Sequence, residues 1–154
     1  MIRVGVISDT HGMLRPEALT ALAGSDYIVH GGDIGNAGIL DQLAAIAPLT
    51  VVRGNNDRGP WAHGVPATAR LEVEGVLIYA VHDIATIDIE PVGAGAQVVI
   101  YGHSHRPVVQ QRGAVLYLNP GSAGPRRFKL PVTVAQLNIE GGRVQAQIVE
   151  LDIA

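Results

Sequence analysis

Residues 4–12 read Val-Gly-Val-Ile-Ser-Asp-Thr-His-Gly. Val4, Val6 and Ile7 form a β-branched apolar run that stops abruptly at Ser8-Asp9-Thr10-His11-Gly12, as a buried strand stops at a loop. The chain then repeats this plan. Arg15-Pro16 to about Ala23 predicts a helix, with Pro near its start and Gly24 just past its end. Tyr27–His30 predicts a second strand that ends at Gly31-Gly32-Asp33. Ile39 to Ile46 has helical spacing of apolar residues and stops before Pro48. Leu49–Val52 predicts a third strand, running into Arg53-Gly54-Asn55-Asn56-Asp57. This β-α-β-α-β order predicts a parallel sheet with crossover helices.

Further along, Arg58 to Thr68 is a looser stretch with two prolines and Trp61. Strands follow at about 70–73 and 76–81. Residues 84–96 leave room for one short helix at most, because Pro91, Gly93 and Gly95 interrupt them. Gln97–Tyr101 is a strand ending in Gly102-His103-Ser104-His105. The last third reads as strands at 108–111, 115–118, 132–139 and 144–151. Glu140-Gly141-Gly142-Arg143 is a hairpin turn between the final two. A parallel half followed by a hairpin-rich half suggests two sheets packed face to face, with helices outside. No internal repeat, linker or low-complexity tract divides the 154 residues, which read as a single domain, 1–154.

Composition narrows the function classes. Hydrophobic residues make up 47% of the chain but aromatics only 4%, so the core must be Val, Ile, Leu and Ala. The absence of cysteine excludes disulfides, thiolate zinc sites and a cysteine nucleophile. Eleven basic and 14 acidic residues, without a basic block, argue against a nucleic-acid partner. No apolar run approaches the ~20 residues of a membrane helix. The opening run is too short for a signal sequence. The expectation is a cytoplasmic protein with no membrane partner.

The polar residues fall at strand ends. Asp9, Asp33, Asn55, His82 and the His103/His105 pair each sit just past an apolar strand. Side chains beyond the carboxyl ends of parallel strands converge on one crevice. Two aspartates crowded there repel unless cations neutralise them. Asp9-x-His11 and His103-x-His105 each place two donors on one side of an extended segment, able to grip one ion or straddle two. Imidazole plus carboxylate without thiolate suits Mn²⁺, Fe, Ni²⁺ or Zn²⁺ better than Ca²⁺.

Taken in order, Asp9-Thr10-His11-Gly12, Gly32-Asp33, Gly54-Asn55-Asn56-Asp57, His82 and Gly102-His103-Ser104-His105 resemble the signature of the calcineurin-like metallophosphoesterases. Ser8-Asp9-Thr10-His11-Gly12 and Asn119-Pro120-Gly121-Ser122 resemble its small branch, the phosphodiesterases of the YfcE type. The resemblance runs from about Ile2 to Ser122. It implies an α/β fold, a four-layer α-β-β-α sandwich of two mixed sheets. It also implies two divalent metal ions, Mn²⁺ foremost, with Ni²⁺, Fe²⁺, Zn²⁺ or Mg²⁺ as alternatives. Asp9, His11 and His105 would hold the first; Asn55, His82 and His103 would hold the second; Asp33 would bridge both. Asp33, Asn56 and His103 are the residues assigned to catalysis.

This sequence departs from the family pattern at Asn56, where many members carry a histidine, and at Val81-His82-Asp83, where a Gly-His pair is more usual. Asparagine cannot donate a proton as an acid can. The implied activity is therefore hydrolysis of small phosphodiesters, or esters with good leaving groups, by a hydroxide that two metals activate. The alternative is a catalytically weak binding module on the same scaffold, as in the related retromer subunit. Relatives of this size often associate, which leaves a homo-oligomer open. Asp57 reads as a support for Asn55 or a histidine, or as a turn aspartate. His30 reads as structural and His63 as exposed. Trp61 would line a cleft or cover the core. Arg126 and Arg127 would steer a phosphate or lie on the surface.

Overall fold

The computed structural model describes residues 1–153. Ten strands form two five-stranded mixed sheets. The first contains β1 (Ile2–Ile7), β2 (Tyr27–His30), β3 (Leu49–Val51), β9 (Thr133–Glu140) and β10 (Arg143–Glu150), in the order β10-β9-β1-β2-β3. The second contains β4 (Thr68–Val73), β5 (Val76–Val81), β6 (Ala96–Ile100), β7 (Pro107–Arg112) and β8 (Val115–Pro120), in the order β4-β5-β6-β8-β7.

β1 is apolar from Val4 to Ile7 because it is central. It pairs in parallel with β2 (Val6 opposite Val29) and antiparallel with β9 (Val4 opposite Leu137), so both its edges are paired. One face of each sheet meets the other in a dry layer that includes Val4, Val29, Ile78, Ile100, Leu118 and Leu137. The outer face of the first sheet, with Ile7 and Ile28, is covered by helices α1 (Pro16–Leu22) and α2 (Ala37–Ala44), through Ala18, Leu22, Ile39 and Leu43. The outer face of the second carries Tyr79, Val81 and Tyr101 under Ile84, Ile87 and Ile89. The fourth layer of the α-β-β-α sandwich is thus reduced to a 3₁₀ turn, Ile84–Thr86, and irregular chain.

Two details depart from the sequence expectations. The two sheets do not divide the chain into halves: the closing hairpin β9–β10 returns to the first sheet, where β1 offers the edge that β2 leaves unpaired. Helix α2 begins at Ala37, two residues earlier than the apolar spacing indicated. The Asn36 side chain accepts from the Ile39 N–H at 3.2 Å and fixes that start.

β1, β2 and β3 run parallel, as do β5, β6 and β8. The loops after β1, β2, β3, β5 and β6 carry the residues singled out above. Trp61, in the 3₁₀ turn Pro60–Gly64, packs against the helix-side core, and His63 is exposed.

Candidate metal centre

The strand-end loops bring the seven singled-out residues into two adjoining groups. Asp9, His11 and His105 form one, with donor atoms close enough to share an ion. His11 Nε2 and His105 Nε2 are 3.3 Å apart and lie 3.7 and 3.4 Å from Asp9 Oδ1. Asp9, Asp33 and His82 form the other. Asn55 joins that side, its Oδ1 3.0 Å from His82 Nε2 and 3.2 Å from His103 Nδ1. Asp9 belongs to both groups, and Asp33 Oδ2 also faces both, 3.6 Å from His11 Nε2 and 3.4 Å from His82 Nε2.

The backbone that presents these groups is unusual. Asp9, His11, Asp33, His103 and His105 all have positive φ, between 46° and 73°. Non-glycine residues are held there at a cost of ~1–3 kcal/mol each, and persist where the surroundings over-determine them. The His-x-His and Asp-x-His segments are therefore left-handed turns and not extended chain. That geometry sends His105 to Asp9 and His11, and His103 to His82, whose ring centroid is 5.2 Å away.

Close packing leaves no slack. A Cβ at Gly54 would overlap the Asp33 carboxylate, and one at Gly102 would reach within 2.6 Å of Asp9 Oδ2. Buried Asp57, for which the sequence left two readings, supports the backbone and no histidine. Its Oδ1 accepts from the Ile34 and Gly35 N–H groups at 2.8 and 3.1 Å, and its Oδ2 from the Gly54 N–H at 2.8 Å. One carboxylate thus ties the Asp33 loop to the Asn55 loop.

Further polar residues support these loops. Ser8 Oγ donates to Asp9 Oδ2 at 2.8 Å, and Ser122 Oγ donates to the Asp9 carbonyl at 3.0 Å. Asn119 Nδ2 donates to the Gly102 carbonyl at 3.1 Å and fixes the loop that carries His103. His30 is fully buried: Nδ1 accepts from the Gly32 N–H and Nε2 meets Thr10 Oγ1, both at 3.0 Å. Because Thr10 Oγ1 donates to the Ile34 carbonyl, Nε2 carries the ring proton. Burial pushes the His30 pKa down to about 4, so the ring is neutral. This agrees with the structural role expected of it.

The electrostatics call for a cation. Burial alone would push Asp9 up, but contacts with His105 and His11 outweigh it and hold the carboxyl well below its usual range. Asp33 is likewise held low by His82 and by the Asn56 N–H, against its own burial. Both are charged, yet Asp9 Oδ1 is buried without any hydrogen-bond donor. His82 Nδ1 lies 2.7 Å from the Gly31 carbonyl, which can only accept, so Nδ1 carries a proton. In the neutral ring Nε2 then aims a lone pair at Asn55 Oδ1 and Asp33 Oδ2. Lone pairs converge like this only around a proton or a metal ion. A buried oxygen without a donor and an imidazole lone pair facing oxygens fit a divalent cation site.

The groups also differ in exposure. Asp9, Asp33, His82 and His105 are buried, whereas Asn55, Asn56 and His103 are exposed. The centre opens to solvent on the Asn55–His103 side, where a hollow of about 240 Å³ is lined by Arg53, Asn55, His82, Asp83, Thr86 and His103.

Residues 2–142 match the family model of the calcineurin-like phosphoesterase superfamily domain. The chain belongs to that superfamily, whose members are metal-dependent. A probable metallophosphoesterase of Methanothermobacter thermautotrophicus is 33% identical over 158 residues, covering 95% of this chain and 91% of the relative. Phosphodiesterase YfcE of Escherichia coli K12 is 25% identical over 168 residues, covering 90% of this chain and 88% of the relative. A solved structure of Yfce from E. coli superposes with a TM-score of 0.72 at 22% identity, over 98% of this chain and all of that one. Vps29 of Chaetomium thermophilum shares the fold, with a TM-score of 0.79 at 17% identity over 98% and 97% of the two chains. No helix among the described residues is long and apolar enough to cross a membrane.

Proposed function

We propose that residues 1–154 form one phosphodiesterase domain that hydrolyses small phosphodiesters at a pair of divalent cations. In this reading Asp9, His11 and His105 hold one cation, Asn55, His82 and His103 hold the other, and Asp33 lies between them. The observation that carries it is the position of Asp33 Oδ2, 3.6 Å from the nearest nitrogen of one group and 3.4 Å from that of the other. When bound, the cations supply an activated water and neutralise phosphate charge during in-line attack.

The remaining work falls to the chain's own side chains. Asn56 donates to Asp33 through both its N–H and its Nδ2. It therefore positions the carboxylate instead of acting as an acid. His82 Nε2 and His103 Nδ1 face Asn55, while the exposed His103 turns its Nε2 towards Asp83, 3.9 Å away. Esters whose leaving group departs without protonation are accordingly favoured. The similarity to phosphodiesterase YfcE supports the same preference. Mn²⁺ is the cation we place here first; a donor set of imidazole and carboxylate oxygen without thiolate suits it, as it suits Fe²⁺, Ni²⁺ and Zn²⁺.

The test is hydrolysis of bis-p-nitrophenyl phosphate by chelator-stripped protein before and after addition of Mn²⁺, with p-nitrophenyl phosphate alongside. Metal-restored turnover favouring the diester supports the proposal. Bound metal without turnover, with Ni²⁺, Zn²⁺ and Mg²⁺ also tried, would instead support a metal-holding binding module on this scaffold.

A further inference from the structure

The chain's charge is unevenly distributed. Residues 91–139 contain no Asp or Glu, yet hold Arg106, Arg112, Arg126, Arg127 and Lys129, in a protein of formal net charge −3. Two of these five, Arg106 and Lys129, line one hollow. Arg106 directly follows the buried His105, and Arg126, Arg127 and Lys129 lie on the loop between Gly124 and Pro131. No Asp or Glu carboxylate forms an ion pair with any of the four among the described residues, where the ion pairs are all between histidine and aspartate.

The loop is rooted beside the metal centre. Ser122 bonds the Asp9 carbonyl, Gly124 packs against the Asp9 and Thr10 carbonyls, and the Arg15 guanidinium holds the Gly124 carbonyl at 3.2 Å. At the far end Val132 bridges back to Ser122. Between these anchors stands Phe128, the chain's one phenylalanine, 94% exposed and at φ 53°. A bulky aromatic in the left-handed region, surrounded by water, gains nothing from the core and strains its own backbone. Phe128, Arg106, Lys129 and Leu130 line an open hollow of about 460 Å³, within the size of small-molecule sites. The hollow beside His82 and His103 is different: it is lined by an anion, Asp83, as well as a cation, Arg53.

We propose that Phe128 and the surrounding cations form the subsite for the non-scissile part of the substrate, and that this part is a nucleoside. A nucleobase stacks on an aromatic face, and unpaired Arg and Lys attract the phosphate that tethers it. A free aromatic face beside unpaired cations, on a loop rooted at the Asp9 backbone, matches that chemistry. One Phe in a loop leaves no periodic signal in the sequence. The proposal rests on the phosphoesterase reading above and names its substrate class.

The experiment compares two esters with the same leaving group: thymidine 5′-(p-nitrophenyl phosphate) and methyl p-nitrophenyl phosphate, with Mn²⁺-loaded protein. The expected result is a kcat/KM ratio favouring the thymidine ester. That ratio should fall about tenfold in Phe128→Ala through KM, recover in Phe128→Tyr, and stay unchanged in the distant surface variant Val92→Ala. Titration calorimetry of thymidine 5′-monophosphate against inorganic phosphate provides a readout free of turnover. If neither ester is hydrolysed, the phosphodiesterase reading fails, and tighter binding of the nucleotide, lost in Phe128→Ala, still supports the subsite. The subsite is overturned if Phe128→Ala leaves both the ester ratio and nucleotide binding intact. It is equally overturned if phosphatidylserine vesicles capture the protein through Phe128 while the nucleotide does not bind.

Discussion

Asn56 grips Asp33 twice: its N–H donates to Oδ1 at 2.9 Å and its Nδ2 to Oδ2 at 3.0 Å. The residue that replaces the family's more usual histidine thus contacts the carboxylate lying between the two groups of ligand candidates. Because the N–H bond belongs to the backbone, substitution removes only the Nδ2 bond. Asn56→Ala should lower kcat/KM for bis-p-nitrophenyl phosphate about tenfold, the value of a hydrogen bond to a charged group. Asn56→Asp places a second anion against Asp33 and should reduce turnover much further. Equal activity in the two variants would remove Asn56 from the site.

Asp57 is the strongest structural prediction. Its carboxylate accepts three backbone N–H groups from two different loops, and its replacement leaves all three without that partner. Asp57→Ala should cost about 3 kcal/mol or more, since bonds to charged groups contribute ~1.5–3 kcal/mol each and do not add fully. At this size that corresponds to a melting temperature lower by roughly 6–12 °C. Thermal unfolding of the two proteins, both stripped of metal, reads it directly.

His30 sets a pH dependence of stability. Its pKa falls from 6.5 in a free chain to about 4 in the fold. Between those values the unfolded chain binds a proton that the folded chain refuses, so stability decreases as pH falls from 6.5 towards 4. Above 6.5 both forms are neutral and this contribution is flat. Urea unfolding of the metal-free protein at intervals from pH 7.5 to 4.5 should show that loss. His30→Gln should be less stable at neutral pH and show a shallower acid slope. A slope equal to that of the unsubstituted protein would refute the assignment.

His82 gives the metal an acid limit. Asp33 and the Gly31 carbonyl, outweighing burial, raise its pKa above 6.5, and only the neutral ring can offer Nε2 to a cation. Protons therefore compete with metal in acid, and affinity for Mn²⁺ should decline as pH falls through that raised value. His82→Asn should weaken binding at pH 8 and remove part of the pH dependence.

Much of this was readable before any coordinates, for a physical reason. A parallel strand buried on both faces is a continuous apolar run, so its end is marked by the first polar residue. Asp9, Asp33, Asn55, His82 and His103 all fall within three residues of such an end. The order of the sheets was not readable, because nothing local in Thr133–Glu140 says that its partner is β1 and not β8. Local chain conformation at the pairs Asp9/His11 and His103/His105 was also hidden: left-handed backbone at Asp and His depends on packing from Gly54, Gly102 and Asp57, which lie far off in sequence. The hydrogen-bond partners of Ser8, His30 and Ser122 come together only in the fold.

The central claim is that these loops hold two cations with Asp33 between them. Chelator-stripped protein should be titrated with Mn²⁺ in a calorimeter, beside Asp33→Asn. The account predicts two ions per unsubstituted chain, and in Asp33→Asn a loss of at least one together with weakened binding of the other. A single ion whose affinity is untouched by Asp33→Asn would contradict it.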